Sequence, residues 1–320
     1  MSCKELFWLR AKAARLYPIT ATRTKAMAPV AGKPIVARVL DTLIANGICD
    51  FTMIISPDDD DIRCYFTNPA HLPANVQVRF AVQQERLGMA HALSLAAPFI
   101  HEDFILSACD NLTPPEHVAE LIQTHRRQQV HATLSLMEVG PEQLRKSGVV
   151  DVRDGRVYGI VEKPAPGEEP SNIASLPLYL FSTKLLTYLP RVQPSKRGEY
   201  ELQDAIQMLI ESEGSIAGVF TPTRLQLTNA ADLLFLNQHY LAQENGRLRA
   251  QPAKVGSNTQ LIGPLHFDDG VTIGENCVVG PNVYLEAGCC IGNHVELRDA
   301  IVLRNRNIAD YSQVIEQVIA

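Results

Sequence analysis

The sequence predicts a two-domain protein, an α/β domain followed by a triangular β-helix. Three observations carry this. Strand-like and helix-like segments alternate over the first 240 residues, a polar stretch with Gly and Pro follows at Gly246–Lys254, and apolar residues then recur every six positions. A chain of 320 residues exceeds what one core usually holds. The expected division is an α/β domain over 1–245, a linker over 246–254 and a β-helix with a C-terminal cap over 255–320.

Apolar spacing at Ile35, Val36, Val39, Leu40 and Leu43 predicts a helix over Lys33–Ala45, opened by Pro34 and stopped by Gly47. Phe51–Ser56, Val76–Val82, Phe104–Ala108 and Ala132–Val139 read as strands. Gly88–Ala97, Pro115–Gln128 and Ala230–Gln243 read as helices. Such alternation predicts parallel strands with helices on both faces, and ligands in those sheets bind beyond the carboxyl ends of the strands.

In the C-terminal part Phe267, Ile273, Val279, Leu285, Ile291, Leu297 and Leu303 are six apart. Val271, Cys277, Val283, Cys289, Val295 and Ile301 form a second set. Gly274, Gly280 and Gly292 directly follow members of the first set, and Asn276, Asn282 and Asn293 mark corners. A period of six fits neither a helix nor an alternating strand. It fits a solenoid in which each hexapeptide is one short strand and one turn, with about three turns in all. Helical spacing at Val314, Ile315, Val318 and Ile319 predicts a terminal helix capping its open end.

Hydrophobic residues are 46% and charged residues 20%, with a formal net charge of -6. That composition argues against a nucleic-acid partner and against a membrane-surface anchor. No apolar run approaches the roughly 18 residues of a spanning helix, and the Leu6–Leu9 run is short for a signal-peptide core. The seven cysteines are odd in number and contain no C-x-x-C. Reduced thiols in a cytoplasmic protein are therefore expected.

Several segments in order resemble the signature of sugar-1-phosphate nucleotidylyltransferases. They are Arg15-Leu-Tyr-Pro-Ile-Thr20, Lys25-Ala-Met-Ala-Pro-Val-Ala-Gly-Lys-Pro34, Gln83 to His91, Ser107-Ala-Cys-Asp-Asn111, Ser147-Gly-Val-Val150, Val161-Glu-Lys-Pro164, Ser171-Asn172 and Arg197 to Ala205. The resemblance covers nearly the whole chain and is to the glucose-1-phosphate thymidylyl- and uridylyltransferase-like members. It implies a Rossmann-like, mixed-sheet nucleotidyltransferase domain (GT-A-like) with a C-terminal left-handed parallel β-helix of hexapeptide repeats. It also implies transfer of a nucleoside monophosphate from UTP or dTTP to a glucose-like sugar 1-phosphate, with Mg²⁺ as cofactor.

The resemblance assigns Arg15 and Lys25 to charge screening between the two anionic reactants. It assigns Ala11, Ala13, Gln83 and Gly88 to the nucleotide, and Gly148, Glu162, Lys163 and Asn172 to the sugar phosphate. Asp110 and Gln226 take the metal positions. Two departures stand out. Ala11-Lys-Ala-Ala-Arg15 replaces the family's Gly-x-Gly-Thr-Arg loop, where left-handed backbone would strain alanine by about 1 kcal/mol or more. Gln226 stands where the family places a second metal aspartate.

Three functions follow. The first is an active transferase. The second is an NDP-sugar-binding regulatory or scaffold subunit. The third, an acyltransferase built on the β-helix, is disfavoured by the short repeat and by having only His294 and His266 there. A solenoid of this length is expected to mediate homo-oligomer contacts.

Overall fold

The structure is a computed structural model describing the backbone of residues 5–9 and all of residues 16–214, 216–243 and 252–320. The chain forms two compact units, Met1–Ala11 with Val39–Leu225, and Lys12–Arg38 with Gln226–Ala320.

The first unit is built on nine strands: β1 (Glu5–Leu9), β2 (Asp50–Ile55), β3 (Gln77–Val82), β4 (Phe104–Ala108), β5 (Ala132–Glu138), β6 (Gly148–Arg153), β7 (Arg156–Glu162), β8 (Ile173–Phe181) and β9 (Ile216–Phe220). Their order in the sheet is β3-β2-β1-β4-β8-β5-β9-β7-β6. The first four are parallel. β8 runs antiparallel to β4 and β5, and β7 antiparallel to β9 and β6. The sheet is thus mixed, where alternation alone predicts a parallel one. The antiparallel half holds β8, which runs against both its neighbours, and the hairpin β6–β7, turned at Asp154-Gly155, both with positive φ.

The helices are α1 (Ile35–Ile44), α2 (Asp60–Thr67), α3 (Met89–Ala96), α4 (Pro115–Gln128), α5 (Leu202–Glu213) and α6 (Ala230–Gln243). α3 packs on β2, α4 on β5 and β9, and α5 on β7. A continuous core holds Leu93, Phe104, Leu106, Leu134, Leu136, Phe181, Ile206 and Leu209. β4 is buried at four of its five positions, as its run of apolar residues requires for a central strand.

The topology sends one edge of the sheet to chemistry. β1 and β4 flank the point where strand order reverses, and ligands of such sheets bind beyond the carboxyl ends there. The antiparallel pairings bring the start of β6 (Gly148) and the end of β7 (Glu162) to that same edge, in register with each other and beside Ser175.

In the second unit three four-stranded parallel sheets stack, each with one strand per coil. Residues 18 apart pair first, as Lys254 with Thr272 and Thr272 with Cys290. The interior is lined by Phe267, Ile273, Val279, Leu285, Ile291 and Leu297, the predicted inward set. Two corrections apply. Past Leu297 the spacing shortens by one residue at the Arg298-Asp299 corner, so Val302, not Leu303, pairs with Leu285. The predicted terminal helix is absent as well: Gln313–Ile315 and Val318–Ile319 are strands of a fourth coil. β-Branched valine and isoleucine suit a strand at least as well as a helix.

The corners are left-handed residues in vertical columns, one being Asn258, Asn276, His294 and Tyr311. Asn293, read as a corner from sequence, instead accepts a hydrogen bond from the Glu275 N–H at 2.9 Å. His294 holds the left-handed position and stacks on Tyr311 at 4.7 Å. His266 packs beside Gly32 and lies 3.0 Å from Asp268 Oδ1. Both repeat histidines therefore have structural partners.

Residues 16–38 pack on this solenoid. Arg23 donates two hydrogen bonds to Glu286, at 2.6 and 2.8 Å, and Arg304 donates to the Thr22 carbonyl at 3.0 Å.

Candidate functional site

Within the first unit four segments reach the active edge. β3 runs directly into Gln83. Its side-chain nitrogen lies 2.9 Å from His91 Nδ1 and 3.4 Å from the Gly88 carbonyl. Gly88 precedes α3 with φ of +102°, and a Cβ there would meet the Tyr200 backbone at 2.5 Å. The sequence suggests that Gly88 is small so that a base can approach. The structure shows another reason, which is that the Tyr200 backbone already lies against it. The Tyr200 N–H donates to Leu87 O at 2.7 Å, and the Ala90 N–H donates to Tyr200 O at 3.0 Å.

Asp110 lies two residues beyond β4 and is buried, as is Cys109. Arg224, which the sequence reading passes over, donates from Nε to Asn111 Oδ1 at 2.9 Å. Burial pulls the Arg224 pKa below its ordinary value, while the charge of Asp110 acts against that.

Gly148 and Glu162 face each other across β6 and β7. Lys163 follows with φ of +46° and its Nζ lies 3.2 Å from Glu162 Oε1. Arg197 reaches within 4.0 Å of the same oxygen and donates to Glu201 at 2.7 Å. The other carboxylate oxygen, Glu162 Oε2, is buried without a hydrogen-bond partner. Burial raises the Glu162 pKa, outweighing the opposing pull of Lys163. Tyr179 lies beneath, against Ser175 and Gln203, and burial pushes its hydroxyl up to about 12. A bulge at Pro177 shapes β8 there, since proline offers no N–H to the ladder. Asn172 is exposed at the entry to β8, where its carbonyl accepts from Val139 N.

Two predicted residues belong to the second unit. Lys25 is buried in a short turn over Lys25–Met27. Gln226 is half-buried and leads into α6, whose start is closed by reciprocal Asn229 and Asp232 side-chain bonds. Arg15, Ala11 and Ala13 lie outside the described residues.

Sequence reasoning missed Arg224, Tyr179 and the stabilising role of Tyr200. Only Tyr200 carries a signal, since it sits inside the Arg197 to Ala205 motif. Arg224 reads as one more solvated charge until the fold half-buries it against Asn111.

The Glu162 burial gives a testable linkage. The folded carboxyl holds its proton more tightly than the unfolded chain does, so stability is full below the unfolded pKa and falls as pH rises through the folded one. Glu162→Gln removes a buried, half-partnered charge and is expected to stabilise the protein by about 1 kcal/mol at pH 7.5. That gain should shrink at pH 4. Thermal melts at both pH values check this, and a variant less stable than the parent at pH 7.5 would contradict it.

Comparison with known proteins fits this architecture. The nucleotidyl transferase family matches residues 12–222, and the GMPPB C-terminal domain matches residues 261–320. The chain belongs to the nucleotidyl transferase family. Its relatives are sugar-1-phosphate nucleotidylyltransferases. A glucose-1-phosphate thymidylyltransferase of Streptomyces griseus is 29% identical over 94% of this chain and 87% of its own. A UTP–glucose-1-phosphate uridylyltransferase of Haloferax volcanii is 31% identical over 65% of this chain and 84% of its own. A solved UDP-glucose pyrophosphorylase complexed with UDP-glucose superposes with a TM-score of 0.67 at 21% identity, covering 76% of this chain and all of that one. No helix among the described residues is long and apolar enough to cross a membrane.

Proposed function

We propose that the protein joins UTP or dTTP to a glucose-like sugar 1-phosphate, releasing pyrophosphate. The observation that carries this is Glu162. A buried carboxylate with one oxygen held by Lys163 and the other unpartnered needs a hydroxyl donor, and a sugar ring supplies several. Lys163 and Arg197 beside it suit the sugar's phosphate.

In this reading Gln83 contacts a pyrimidine edge, and Gly148 lets the sugar approach β6. Arg15 and Lys25 hold the triphosphate. A phosphate oxygen of the sugar attacks the α-phosphorus in line, and pyrophosphate leaves. The residues contribute position and charge rather than covalent chemistry. Mg²⁺ is taken as the cofactor, with Asp110 offering it a carboxylate and Gln226 a neutral oxygen. Bound there, Mg²⁺ would neutralise phosphate charge. The reading also takes the β-helix as left-handed and as the homo-oligomer contact of a cytoplasmic enzyme.

Incubation with Mg²⁺, UTP or dTTP, and glucose 1-phosphate is expected to release pyrophosphate only when both substrates are present. No release across several nucleotide and sugar-phosphate pairs, with NDP-sugar binding still measurable, would replace the transferase with a regulatory or scaffold subunit.

A further inference from the structure

The chemistry of the Asp110 end departs from a two-carboxylate metal site in charge as well as in number. Arg224 follows β9 by four residues, and β9 lies parallel to β5, so its end arrives at the active edge. The side chain is anchored there by its bond from Nε to Asn111 Oδ1. Asn111 is itself buried, and its Nδ2 donates to Thr113 Oγ1 at 2.9 Å, which fixes the acceptor's orientation. The guanidinium is planar and keeps its charge at any physiological pH. The Asp110 carboxylate lies near enough to favour that charge. A protein cation therefore acts on Asp110 at this end of the site.

We infer that Arg224 is the fixed cation of the Asp110 site, weakening capture of a divalent ion there and drawing a phosphate oxyanion in its place. The inference rests on the proposed reading of Asp110 as the metal and phosphate end of the site. A guanidinium placed by the fold needs no reorganisation when negative charge develops, which is the general advantage of preorganised electrostatics.

The test uses the full chain and two probes with opposite charge. Mn²⁺ binding is followed by electron paramagnetic resonance, and inorganic phosphate binding by ³¹P NMR in the presence of EDTA. Arg224→Gln is expected to bind Mn²⁺ about tenfold more tightly than the parent, the ratio that about 1.4 kcal/mol of charge interaction gives. The same variant should bind phosphate about tenfold more weakly. Arg224→Lys, which keeps the charge, should stay near the parent in both, and Arg224→Met serves as a second neutral variant should the glutamine form fold poorly. A purely structural role would lower both affinities together. That result, or unchanged Mn²⁺ binding in the neutral variants, overturns the inference. Asp110→Asn separates the two readings. If it abolishes Mn²⁺ binding while the Arg224 variants change nothing, Arg224 loses its role and Asp110 keeps its own. If it leaves Mn²⁺ binding intact, both fall.

Discussion

Gly88→Ala is expected to destabilise the first unit by about 3 kcal/mol and to abolish nucleotide binding. Two costs add. At φ of +102° an L side chain is strained by about 1–3 kcal/mol. The new Cβ would also sit 2.5 Å from Tyr200 O and 2.6 Å from Tyr200 N, closer than real Cβ atoms come to backbone. The clash has no cheap exit, because Tyr200 is hydrogen-bonded on both sides, to Leu87 and Ala90. Relief requires the Gly88 turn to open, which moves the carbonyl beside Gln83 and the start of α3. Denaturant unfolding of the variant checks the stability, and UTP and dTTP binding by calorimetry checks the turn. A variant within about 0.5 kcal/mol of the parent would show that the segment of Tyr200 yields freely.

The two halves of the fold differ in how far they can be read from residues. The solenoid is legible because each coil repeats the same demand. Phe267, Ile273, Val279, Leu285, Ile291 and Leu297 all point into one narrow interior. The reading fails where the repeat loses a residue, at Arg298-Asp299, since a one-residue slip leaves apolar residues available in both registers: Ile301, Val302 and Leu303 are all buried. In the α/β unit the parallel strands are legible as short buried runs. The antiparallel hairpin strands are less so, because β6 and β7 carry polar and exposed positions such as Asp151, Tyr158 and Val161.

The site shows the same limit in another form. Motif order points to Glu162, Lys163, Gly148 and Asp110 because each follows or opens a strand. It says nothing of what opposes them across the fold. Arg224 is distant in sequence from Asn111 and meets it only after β9 inserts beside β5. Gly88 is singled out correctly, yet its reason lies in Tyr200, more than a hundred residues along the chain.

Glu286→Ala is the second large effect, expected to cost the second unit about 3–5 kcal/mol. Glu286 accepts both terminal nitrogens of Arg23, and its Oε2 also accepts the Arg304 N–H at 2.7 Å. The Arg23 side chain is only 4% exposed, so deleting its partner strands a guanidinium away from water. The pair itself gains little over apolar packing, because desolvation offsets most of its attraction. The expected pattern is therefore non-additive: Arg23→Met with Glu286→Met should be less damaging than Glu286→Ala alone. Thermal melts of Glu286→Ala, of Arg23→Met and Glu286→Met singly, and of the double methionine variant test this. A double variant whose loss equals the sum of the singles would mean that Arg23 and Glu286 stabilise the unit independently. The consequence for function follows from sequence position. Arg23 is two residues from Lys25, so the solenoid coil that carries Glu286 also holds the segment proposed to bind the triphosphate. On that account Glu286→Ala should weaken UTP or dTTP binding even at temperatures where the variant remains folded, while leaving the Glu162 pocket of the first unit able to bind sugar phosphate.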